Sequence, residues 1–180
     1  MAEARLKPYL RTDLDVLFIG LNPPEQSNSN GHYFSGKQSR FFELLAASGL
    51  ITRRIPRACA DETVFGTTEI NYKGASFGVV DLVSGLVETK SEKVSVTREV
   101  IDHLVSQVRY VSPRFACVIH AKVWKGLNRH GGLVRPLSYG LCGLSLKNCA
   151  TQFVVNYFPS AMVSDDTKIS IFRLLRDRLE

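Results

Sequence analysis

The sequence predicts a three-layer α/β fold with a central, mostly parallel sheet, and three observations carry that prediction. Short unbroken apolar runs, at 16–19, 78–80 and 115–119, suit strands covered on both faces rather than on one. Amphipathic segments lie between them. The clearest is 95–111, where Val96, Val100, Ile101, Leu104, Val105, Val108 and Val111 recur at three- and four-residue spacing. Polar, glycine-bearing stretches then follow the carboxyl ends of the apolar runs, where ligands collect in open α/β sheets.

Residues 1–13 are polar and basic, with Pro8 as a breaker, and are expected to lie over the surface ahead of the first strand. That strand ends at Gly20. Residues 21–36 form a loop of Asn, Ser, Gly and His with Tyr33 and Phe34. It exceeds the ~4 to 6 residues of an ordinary connection, which marks a binding loop. A helix over 37–48 follows, with Phe41, Leu44, Leu45 and Ser48 on one face and Gly49 as its stop. Residues 51–74 read as irregular. Their cluster of Arg53, Arg54 and Arg57 around Pro56 reads as a solvated charged face, with a phosphate contact as the alternative.

A second strand over 76–80 ends at Asp81. The helix over 95–111 is stopped by Ser112 and Pro113, and a third strand over 115–119 completes a β-α-β passage of right-handed crossover. His120 stands at the end of this strand, before a short helix over 121–127. Residues 128–143 are glycine-rich and basic, with Arg129, His130, Arg135 and Tyr139. Strands over 144–146 and 153–155 flank a turn at Lys147 and Asn148. The last helix, over 167–179, carries Ile169, Phe172, Leu175 and Leu179 on one side, with Asp165 or Asp166 as its cap.

The 180 residues predict one domain spanning 1–180, with 44% hydrophobic and 22% charged residues. The sequence has neither the ~20 consecutive apolar residues of a membrane helix nor the apolar centre of a signal peptide, so an intracellular protein is expected. A formal net charge of +6 favours an anionic partner, because each cation set against a phosphate releases counterions. Cys59, Cys117, Cys142 and Cys149 are scattered without a C-x-x-C pair, so no metal, cofactor or disulfide framework is expected. Cys117, inside an apolar run, reads as core.

Gly20, Leu21, Asn22, Pro23, then Gly31, His32, Tyr33, Phe34, then Arg40, Phe41, Phe42, then Ser48 and Gly49 resemble the first motif of the uracil-DNA glycosylase superfamily. The similarity is closest to its mismatch-specific uracil/thymine branch. That pattern is Gly-x-Asn-Pro-Gly, a short loop, Gly with aromatics, Arg-Phe-Trp, and Ser-Gly or Ala-Gly. Pro24 stands in place of Gly and Phe42 in place of Trp, and Pro24 removes a backbone donor. The run Gly78 to Val83 resembles the family's second strand. Asn156 to Ser164 resembles its second motif, Asn or His followed by Pro-Ser-x-x-Ser, through Pro159 and Ser160.

The resemblance implies a uracil-DNA glycosylase-like fold and a DNA glycosylase. Asn22 would position the attacking water, with Glu25 as an alternative base. Gly20, Leu21, Tyr33, Phe34 and Phe158 would surround the base, with Phe34 or Tyr33 stacked on it. Lys37, His120, Pro159, Ser160, Ala161, Met162 and Ser164 would meet DNA, with Met162 either wedged into the duplex or covering the core. Phe158 occupies the place of a hydrogen-bond donor and cannot donate; Asn156 could substitute only through a bulge. The implied partner is double-stranded DNA with a mismatched or damaged base, met by a monomer. A member of the fold that binds without efficient chemistry, and a hydrolase of free nucleosides or nucleotides, are the alternatives.

Overall fold

The computed structural model describes residues 3–180, and five of its strands form one sheet in the order β2-β1-β3-β5-β4. The strands are β1 (Val16–Gly20), β2 (Phe77–Asp81), β3 (Phe115–Val118), β4 (Gly140–Leu144) and β5 (Gln152–Val155). β1 pairs in parallel with β2 and β3, and β3 with β5; β4 alone runs antiparallel, along β5. The helices are α1 (Glu25–Asn30), α2 (Phe41–Ser48), α3 (Ala60–Gly66), α4 (Arg98–Val111), α5 (Ala121–His130) and α6 (Asp165–Asp177).

The pleat of β1 divides the core. Val16 and Phe18 face one side, with residues of α2, α3 and α6; Leu17 and Ile19 face the other, with Ile101, Leu104 and Val108 of α4 and Val123 and Leu127 of α5. Every residue of β1, β2 and β3 is buried, which is why their sequences read as unbroken apolar runs. Phe18 is the centre of the first side. Its ring meets Phe41 at 5.3 Å and Phe77 at 5.7 Å, both near perpendicular, and Phe172 at 6.2 Å.

Several boundaries differ from those expected, each for a local reason. The loop after β1 contains α1, which follows Pro24 and closes on Gly31 at φ 77°. α2 begins at Phe41, because Arg40 is not helical, and ends on Gly49 at φ 81°. Residues 51–74 are not irregular throughout: they hold α3, whose short apolar face gave no extended period. The fourth strand lies at Gly140–Leu144 instead of 144–146. It is a glycine-bearing edge strand with a register shift between Leu141 and Gly143, so neither alternation nor a continuous run marks it. α6 starts at Asp165 and is capped by the Ser164 hydroxyl, which accepts from the Thr167 amide, and not by Asp165 or Asp166. The amino-terminal segment does more than cross the surface: Tyr9 and Val79 exchange backbone hydrogen bonds of 2.9 and 3.3 Å, and Leu6 is buried.

Phe18→Ala should open a cavity that the rings of Phe41, Phe65, Phe77 and Phe172 cannot close, with a loss of about 3 to 5 kcal/mol of stability in urea melts.

Candidate active site

Parallel pairing brings the carboxyl ends of four strands to one level. Gly20 is in register with Asp81, the Ile119 amide donates to Ile19, and the Asn156 amide donates to Val118. The loops that follow enclose a cavity of about 490 Å³. Its walls include Gly20, Leu21 and Asn22 after β1, Tyr33, Phe34 and Lys37 farther along that loop, Asp81 and Glu88 after β2, His120 after β3, and Phe158, Pro159 and Ser160 after β5. Two stretches more than a hundred residues apart in the chain thus line one cavity.

Asn22 is fixed by its carboxamide nitrogen, which donates to the carbonyls of Glu88 at 2.7 Å, Leu86 at 3.3 Å and Pro23 at 3.2 Å. Carbonyls only accept, so these bonds identify the nitrogen and leave Oδ1 as the acceptor the residue can offer to a guest. Phe34 has φ 55°, an uncommon backbone for a bulky residue. Its ring lies on Phe41 at 3.9 Å and 20°, so one face is braced by the core while the residue lines the cavity. Tyr33 is almost wholly buried. Its amide donates to Asp61 Oδ2 at 2.8 Å, and its hydroxyl is buried without a partner. Burial, with the nearby Asp81 and Asp61 charges, pushes that phenol far above its ordinary range.

Asp81 is the carboxylate that the sequence did not single out. It ends β2 beside Gly20, where any Cβ would collide with its Oδ1, so the glycine is what lets a carboxyl lie across the end of β1. Its side chain makes no hydrogen bond or ion pair among the described residues, and burial pushes its pKa up to about 7. The signal available was position: Asp81 directly follows an apolar run, as Gly20 does. Glu25, by contrast, is exposed on α1 and does not line the cavity.

His120 caps α5. Its Nδ1 accepts the Lys122 amide at 3.1 Å, which leaves the proton on Nε2. Burial, reinforced by the Lys122 charge, holds its pKa down to about 4, so the ring is neutral at physiological pH. It meets Phe158 edge-on at 5.5 Å.

The loop after β5 is shaped by a buried amine. Lys168 Nζ donates to the carbonyls of Pro159 and Ala161, both at 2.9 Å, with Asp165 at 3.5 Å. Met162, next in the loop, is fully exposed. Ser160 is exposed on the cavity wall, Ala161 is half-buried, and Ser164 is the cap of α6. Asn156 does not replace the donor missing at Phe158: it is fully buried, donating to the Lys168 carbonyl and accepting the Tyr157 amide. Nor is Arg57 a solvated charge, since it donates to the carbonyls of Gly36, Lys37 and Ser39 and holds the cavity's outer lip. Among the described residues, no group of three or more His, Cys, Asp or Glu side chains is placed to hold a metal ion; Cys117 is buried in β3.

The family model of the uracil DNA glycosylase superfamily matches residues 7–175. No curated protein matches the chain.

Asp81 should reveal itself in stability. Unfolded, its carboxyl ionises near 3.8; folded, near 7. The folded state therefore holds the proton more tightly, and its full stability is present below about pH 4. It declines between 4 and 7 and stays reduced above. Asp81→Asn should abolish that decline and be the more stable protein at pH 8, by up to about 4 kcal/mol at ~1.36 kcal/mol per pKa unit. Urea melts at pH 5 and pH 8 check it.

Proposed function

The chain belongs to the uracil DNA glycosylase superfamily, a family of DNA glycosylases in general, and from that premise we propose that it excises uracil or a related deaminated base from mismatched duplex DNA. The observation that supports this most is the meeting of the two loops at one cavity: Asn22 and Phe34 from the first loop and Pro159 and Ser160 from the second all line it, and exposed Met162 follows Ser160 by two residues. A base in duplex must leave the stack to reach any such cavity, at a cost of a few kcal/mol that a mismatch lowers. Met162, an unbranched side chain on a clamped loop, is suited to fill the space it vacates. Lys37, Ser160 and the surrounding positive charge would hold the backbone.

In the cavity, Phe34 would stack on the base, while the unpaired Asp81 carboxyl would meet its edge. Asn22 Oδ1 would accept a hydrogen bond from a water and aim its oxygen at the sugar C1′. As the glycosidic bond breaks, its electron pair leaves with the base and the sugar becomes oxocarbenium-like. The water oxygen then bonds to C1′ and gives up a proton to solvent, which in turn protonates the departed base, so the sum is base plus abasic sugar. A carboxamide takes no proton at neutral pH, so the reaction on this reading is slow. On this reading the chemistry is monofunctional: Lys168 and Lys122 both spend their amines on backbone carbonyls, and Lys37, which lines the cavity, stands at no motif position for a Schiff base and would hold the DNA backbone instead. The same reading has the protein act as an intracellular monomer, and the Asn22-Pro23 motif supports placing it nearest the mismatch-specific branch.

Phe158, which supplies no donor, favours a second reading in which the protein binds duplex without excision. Incubation of G·U duplex with the protein distinguishes the two. Abasic sites should accumulate, the strand should stay uncut, and borohydride should trap no adduct. Asn22→Ala should lower the single-turnover rate at least about 100-fold while duplex affinity persists. Intact duplex after long incubation with excess protein would leave the binding-only reading. Met162→Ala should weaken excision from duplex about tenfold or more and leave any cleavage of a free nucleoside unchanged; equal effects on both would count against a wedge.

A further inference from the structure

Breaking an N-glycosidic bond at neutral pH leaves negative charge on a carbonyl oxygen of the departing base, and a donor aimed at that oxygen stabilises the transition state more than the ground state. Neither of the two motifs supplies such a donor. Asn22 has its amide nitrogen on backbone carbonyls, Asn156 is buried among its own partners, and Phe158 has nothing to give. His120 differs from all three. It lines the cavity, its ring stands 5.5 Å from that of Phe158, and its Nδ1 is occupied by the Lys122 amide. The proton is thereby left on Nε2, which makes no hydrogen bond among the described residues. The fold fixes both the ring's position and its tautomer, since His120 is the residue that caps α5.

We propose that His120 is a catalytic residue, its neutral Nε2–H donating a hydrogen bond to the carbonyl oxygen of the departing base, in the role that Phe158 cannot fill. This rests on the glycosylase reading above. No proton need be transferred: the bond strengthens as charge builds on the oxygen, and the base leaves as an anion to be protonated by water. Burial, which keeps the ring neutral, suits this role, since a neutral donor adds no buried charge before the reaction begins.

The test compares uracil with 5-fluorouracil, a better leaving group, in the same G-opposed duplex under single-turnover conditions. His120→Asn keeps an acceptor for the Lys122 amide but is too short to present the donor. It should slow uracil release about 100-fold or more, slow 5-fluorouracil release distinctly less, and leave duplex affinity within about twofold. Adding Phe158→His to that variant should recover at least about tenfold. In the unaltered protein, ¹⁵N spectra at pH 7 should show His120 as the neutral Nε2–H tautomer, a measurement independent of whether the variant folds.

An unchanged rate in His120→Asn, equal slowing of both bases with loss of duplex affinity, or an Nδ1–H tautomer would each overturn this assignment while the glycosylase reading stands. No release of either base by the unaltered protein would overturn that reading, and this assignment with it.

Discussion

Parallel pairing of β1 with its two neighbours is the constraint on which the rest of the molecule depends. Because β1, β2, β3 and β5 all run the same way, their carboxyl ends come out at one edge, and the residues that follow are forced into a shared neighbourhood. Gly20, Asp81, His120 and the loop after Asn156 are far apart in the chain, and each has a different local reason for its conformation. What they have in common is a strand that has just ended. The aromatic cluster around Phe18 holds β1 in place from one side, and Ile101, Leu104 and Val108 hold it from the other.

The loops at that edge are stabilised in a particular way. Regular structure satisfies backbone carbonyls with backbone amides, whereas here long side chains do it. Asn22 serves Leu86 and Glu88, Lys122 serves Ser91 and Val94, Arg57 serves Gly36 and Ser39, and Lys168 serves Pro159 and Ala161. Each such bond satisfies an otherwise orphaned acceptor, and each removes a donor from the cavity. Among the described residues, Asn22 Oδ1, the Asp81 carboxyl, the Lys37 amine and His120 Nε2 line the cavity without a hydrogen-bond partner. Chemistry at the site is defined as much by which groups the scaffold has already used as by which face the opening.

The sequence is most legible where burial is complete. β1, β2, β3 and α4 were visible because an apolar run or a 3.6-residue stripe is written locally. The edge strand β4 and the short helices α1 and α3 were not, since their residues are shaped by neighbours distant in the chain. The same divide runs through the site. Asn22, Phe34 and Pro159 carry a motif that survives as a string of letters. Asp81 and Lys168 do not, because a carboxylate after a strand and a lysine in an amphipathic helix look ordinary until the fold buries them. Arg57 looked solvated for the same reason: only three dimensions bring it under residues 36–39.

Lys168 also links two parts of the molecule that would otherwise be independent. It sits on the helix that places Phe172 and Leu175 in the packed interior, and its ammonium grips the loop below Met162 through two carbonyl oxygens. The height at which that tip stands above the surface is therefore referenced to the interior, as a lever is to its fulcrum. A repacking that tilts α6 by a fraction of an ångström would be carried to the tip without altering any residue there. Substitutions in the interior would thus retune the tip from positions that never touch it.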